Sequence, residues 1–102
     1  MSKLKITVLR TMSNADFAAE YCESADVTPC TAFKEGQEFV LDSPMDCPEG
    51  FCGWAWEDLH KGVLTLMKGG SFKGWMKDDK TLISCCTDGI RPVVFKLERI
   101  DE

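Results

Sequence analysis

Six cysteines in a chain of 102 residues are the feature with the most chemistry in it. Cys52 has the clearest physical case. It stands just before a segment, starting near Gly53 or Trp54, whose apolar residues recur at helical spacing. Free backbone N–H groups and the positive end of a helix dipole favour a thiolate at that position. A sulfur so placed suits a nucleophile, a redox thiol or a metal ligand. Packing beside Phe51 and Trp54 would instead make it an inert core thiol.

Cys30, Cys47, Cys52 and one of the adjacent pair Cys85-Cys86 are candidates to converge. Three or four thiolates would hold zinc or an iron–sulfur cluster, with Cys30, Cys52 and Cys85 as the ligand set. No two of the cysteines are spaced CxxC, the spacing that lets neighbouring sulfurs reach one metal. Cys85 and Cys86 sit on an expected strand, where period two sends them to opposite faces, so only one can look into a shared site. A vicinal disulfide between them would be strained and would act as a redox switch. His60 is the only histidine. It lies more than two helical turns beyond Cys52, about 12 Å of rise, which is too far for a Cys–His nucleophilic pair. Trp54, Trp56, Phe72 and Trp75 are available to line a pocket between two irregular loops, with Cys52 at its rim. Arg91 offers an anion contact or, more simply, an ion pair with a local carboxylate.

These side chains need elements to hold them. The stretch TLISCCTDGIRPVVFKLE reads as a hairpin, with strands Leu82 to Thr87 and Val93 to Arg99 joined through Asp88-Gly89. Lys3 to Leu9 alternates as a half-buried strand with Leu4, Ile6 and Val8 inward. Ser13, with Asp16 three residues on, opens a first helix over 14–23. Glu38 to Leu41 is a short strand. The segment DSPMDCPEGFCG is broken by Pro and Gly, and a loop of this kind carries function on a rigid scaffold. Trp56, Leu59, Val63, Leu66 and Met67 then mark an amphipathic helix, with Glu57 and Asp58 placed to favour its first turn and Gly69-Gly70 as its stop.

The expected architecture is a single α+β domain over 1–102, with about four mostly antiparallel strands and two helices largely on one face. A small curled half-barrel is the alternative. Net charge −5 argues against a phosphate-backbone binder, so nucleic acid is not an expected partner. Lys68, Lys73 and Lys77 read as a solvated loop. No apolar run approaches the length of a membrane span, and the N-terminus reads as a strand. The expected location is therefore cytoplasmic, with the cysteines as reduced thiols or metal ligands.

Four segments, KITVLRTM, PCTAFKEGQEFVLD, PEGFCGWAW and CCTDGIRPVVFKLERI, resemble an uncharacterised family of small prokaryotic proteins of about this length. The resemblance spans nearly the whole chain and is most specific in the last segment. It implies a cytoplasmic single-domain protein and brings no catalytic residue with it. Cysteines matching Cys30, Cys52 and the Cys85-Cys86 pair belong to the family pattern; Cys22 and Cys47 do not. Three functions follow for testing. The first is a cysteine-rich accessory or binding protein with a thiol-redox or metal role centred on Cys52. The second is a protein- or small-ligand-binding module whose cysteines only pack. The third, a cysteine-nucleophile enzyme, lacks a convincing base.

Overall fold

Alternation along Lys3–Thr11 produces the longest strand, β1, and sets the sheet. In the computed structural model, which describes residues 3–24 and 26–100, the order is β1, α1 (Ala15–Tyr21), β2 (Glu38–Leu41), α2 (Gly53–Met67), β3 (Thr81–Cys85) and β4 (Val93–Ile100). The strands pair antiparallel in the order β2-β1-β4-β3. The architecture is the expected α+β domain, except that among the described residues α2 alone packs on the sheet and α1 contacts no strand. Its sheet is open, so the half-barrel alternative does not form. Leu4, Ile6 and Val8 on β1 and Val93, Phe95 and Leu97 on β4 are all buried on one face. Helix α2 covers that face with Ala55, Leu59, Val63 and Leu66.

Helix α2 lies close to the sheet because Gly62 has no side chain. A Cβ built there would sit 2.6 Å from Leu82 Cδ2 and 3.2 Å from Leu97 Cδ1. The helix ends at Lys68 in a Schellman arrangement. Gly69, at φ +88°, donates to the Leu66 carbonyl at 3.1 Å, and Gly70 donates to Thr65 at 2.8 Å. Phe33 and Phe51 come from loops yet close one end of the core. Their rings lie 5.0 Å apart, and Phe33 sits edge-on to Phe95 at 5.1 Å. On the other face of the sheet Lys5 lies 3.5 Å from both Glu38 and Glu98, and Lys96 3.4 Å from Glu98. Such half-exposed pairs are worth about 0–1 kcal/mol each.

Three expectations change. The connection between β3 and β4 spans 86–92 and is wider than a two-residue hairpin turn. Asp88 still makes the turn, but as an Asx turn: its Oδ1 accepts from the Ile90 and Arg91 N–H groups at 2.9 and 3.0 Å. The first helix is shorter than 14–23, and its Ser13/Asp16 capping box is not formed. Asn14 is the N-cap, and its side chain instead donates to the Gly89 carbonyl at 2.7 Å. Asp58 and Glu57 lie past the first turn of α2, and the Asp58 carboxylate is committed to the 86–92 connection.

Candidate functional site

The start of α2, the loop around Cys30 and the 86–92 connection enclose a cleft of about 560 Å³. Cys30, Cys52 and Cys86 all open on it. Phe33, Ala55 and Val93 supply its apolar floor, and Trp54, Thr87, Asp88 and Arg91 its rim. Each thiol is delivered by a different device. Cys52 is the N-cap of α2 in extended conformation, with no side-chain cap bond. Cys30 is half-buried on the connector that follows α1. Cys86 is buried, because Leu82, Ser84 and Cys86 share the inward face of β3 and its continuation. The Cys86 backbone N–H donates to the Val93 carbonyl at 3.1 Å, and its sulfur accepts from the Val93 N–H at 3.4 Å.

A polar clamp fixes the rim. Trp54 and Asp58 are one helical turn apart on α2. The Trp54 indole N–H donates to Thr87 Oγ1 at 2.8 Å, and Thr87 in turn bonds Asp58 through its hydroxyl at 3.0 Å and its backbone N–H at 2.7 Å. The clamp ties the helix start, and so Cys52, to the strand connection that carries Cys86. Arg91 pairs with Asp88, Nε to Oδ2 at 3.4 Å. The Arg91 backbone N–H, with the Ile90 N–H and the Arg91 charge, holds the Asp88 carboxyl below the usual carboxylate range, against the opposing effect of burial.

The residues expected to form the site separate into three groups. Cys52, Trp54 and Arg91 line the cleft together with Cys30. Trp56 does not. It is half-buried behind the cleft, 6.2 Å from Phe51 and 5.4 Å from the His60 ring. Trp75 is 73% exposed on the 71–80 loop, and Phe72 packs against the core, so the four-aromatic pocket is not assembled. The proposed ligand set of Cys30, Cys52 and Cys85 is also divided. Cys85 is exposed on the outward face of β3, an edge strand, and lies beside Glu57, His60 and Ser84 in a separate shallow depression. Cys86 takes its place in the cleft. Among the described residues no group of three or more His, Cys, Asp or Glu is disposed to hold a metal ion. His60 is engaged elsewhere, its Nε2 donating to the Pro44 carbonyl at 2.8 Å.

Cys47 lies close to Cys52. Burial, and then repulsion between the two sulfurs' negative charges, push the Cys47 thiol up. Thr87 and Asp58 were not foreseen as site residues; a threonine directly after a strand and an aspartate inside a helix carry no distinguishing local pattern. All six cysteines are free thiols. Among the described residues no helix is long and apolar enough to cross a membrane. No family model, curated protein or solved structure matches the chain.

Proposed function

We propose that the chain is a small cytoplasmic thiol-bearing binding protein, with Cys52 as the reactive sulfur and the adjoining cleft as the seat of its ligand. The observation that carries this reading is the opening of Cys52, at the start of α2, onto a cleft it shares with Cys30 and Cys86. An apolar floor with an Arg91–Asp88 rim suits a small molecule or peptide segment that has an apolar body and a polar end. The stretches PEGFCGWAW and CCTDGIRPVVFKLERI, on which the family resemblance rests, supply Cys52, Trp54, Cys86, Thr87, Asp88 and Arg91. They are thus also two of the walls of the cleft.

Timed alkylation with peptide mass mapping at neutral pH tests it. Cys22, Cys47 and Cys85 are exposed, whereas Cys52 is only partly so. Exposure alone would make those three react first. The proposal requires Cys52 to react ahead of all three. Alkylation of Cys52 no faster than that of buried Cys86 would reduce it to a packed thiol. That result would favour the second reading, a ligand-binding cleft in which the sulfurs only pack, as the bonding of Cys86 to Val93 already suggests for that residue.

A further inference from the structure

The segment Cys47-Pro48-Glu49-Gly50-Phe51-Cys52 places a second thiol against the one just described. A β-turn joins them. The Phe51 N–H donates to the Pro48 carbonyl at 3.1 Å, and Gly50, third in the turn, has φ +78°, a conformation that glycine adopts without strain. Residues one step outside a closed turn face each other across it. Those are Cys47 and Cys52. The Cys47 sulfur is turned inward over the turn, 3.7 Å from the Pro48 carbonyl and 3.8 Å from the Phe51 carbonyl, whose peptide leads directly into Cys52. Cys52 is near enough to add to the upward push on the Cys47 thiol. Neither residue lies in a helix or strand interior. The Cys52 carbonyl accepts the first bond of α2, from the Trp56 N–H at 2.9 Å, so its backbone is fixed and joining the sulfurs falls to the side chains and to the Cys47 arm of the turn.

We propose that Cys47 and Cys52 form a dithiol/disulfide couple that exchanges with a disulfide-bearing small molecule or peptide, Cys52 attacking and Cys47 resolving. This rests on the reading of Cys52 as the reactive sulfur. In the first step the Cys52 thiolate attacks one sulfur of the substrate disulfide. A Cys52–substrate S–S bond forms, the substrate S–S bond breaks, and the departing thiolate takes a proton from water. In the second step Cys47 gives up its proton to solvent and attacks the Cys52 sulfur. The mixed disulfide breaks, the second substrate thiolate leaves and is protonated, and Cys47 is joined to Cys52. Two protein thiols are oxidised and one substrate disulfide is reduced to two thiols, so no other oxidant enters. The division of roles follows from the surroundings. Cys52 faces the cleft that would seat the substrate, and Cys47 lies off the cleft on the far arm of the turn.

The experiment uses the full chain, reduced and then exposed to oxidised glutathione, with acid quenching and peptide mass mapping. The wild type should become lighter by two hydrogens, with peptides containing Cys47 and Cys52 linked and no glutathione retained. Cys47→Ser should stop at the first step and retain one glutathione on Cys52. Cys52→Ser should lose the rapid reaction, and Cys22→Ser should behave as the wild type. Retention of glutathione on Cys52 in the wild type as in Cys47→Ser would overturn the couple and leave Cys52 as the reactive sulfur. Linkage of Cys52 to Cys30 or Cys86 would likewise overturn it. Absence of modification at Cys52 in both proteins would remove the reading of Cys52 itself.

Discussion

Replacing Gly62 by alanine sets two known effects against each other. Alanine in a helix interior is favoured over glycine by about 0.8–1 kcal/mol. The new methyl, however, would stand 2.6 Å from Leu82 Cδ2 and 3.2 Å from Leu97 Cδ1. Carbon atoms pack best at about 3.5–4.0 Å, so the nearer contact is short by roughly 1 Å. Leu82 sits on edge strand β3 and can yield at its side-chain tip. Leu97 sits on interior strand β4, fully buried, with less room to move. Overpacking of a filled core costs about 1–3 kcal/mol. The difference leaves Gly62→Ala destabilised by about 1 kcal/mol, within about 0–2. With a urea slope of about 1–3 kcal/mol/M, the midpoint should fall by roughly 0.3–1 M. Gly53→Ala, in the same helix, meets nothing within 4 Å and should leave the midpoint unchanged or slightly higher. Gly62→Ala more stable than the parent by the full helix-propensity gain would show that α2 stands farther from the sheet than described.

Two further outcomes follow from the site. Thr87→Val removes the hydroxyl that joins Trp54 to Asp58 but keeps the Thr87 N–H bond to Asp58, whereas Asp58→Ala removes both. Thr87→Val should cost about 0.5–1.5 kcal/mol by denaturant unfolding and Asp58→Ala more; equal losses would mean that the backbone bond adds nothing. Asp88, with a folded-state carboxyl below its unfolded value of about 3.9, adds stability that is present above that value and lost as pH falls through the folded one. Asp88→Asn should therefore be less stable than the parent at neutral pH, and the gap should close in acid; a gap constant down to the lowest pH would show that the Asx turn does not depend on the charge.

Much of the fold could be read from alternation. The inward set on β1 and β4 follows directly from period two, and the same rule, carried on from Leu82, overturns the placing of Cys85 in the ligand set. Once Leu82 is placed in the core, Ser84 and Cys86 must follow it and Cys85 must face out. The apolar face of α2 and its Gly69-Gly70 stop were equally plain. The cleft was legible only in part, because its walls come from three loops. Phe33 and Phe51 have no periodic neighbours to announce that they are core residues. The bonds of Thr87 with Trp54 and Asp58 join positions about thirty residues apart, and local pattern holds no information about such contacts. Trp75 was placed by residue type alone, and type does not distinguish a tryptophan in solvent from one in a wall; for Trp56 the helical period, which sets it on the core side of α2, was the better guide than its type.

The sheet order has a consequence for how the molecule is made. Strand β1 lies between β2 and β4, and its ladder with β4 joins Lys3 to Ile100. At about 5–20 residues per second, a ribosome finishes β4 roughly 5–20 s after β1. During that interval β1 can pair only with four-residue β2, and Leu4, Ile6 and Val8 have no Phe95 or Leu97 to meet. Folding must then wait for a closure spanning nearly the whole chain, which is slow for reasons of loop entropy rather than weak contacts. Until it occurs, the side of β1 that β4 will cover is an open strand edge, the kind of edge that can pair with another chain.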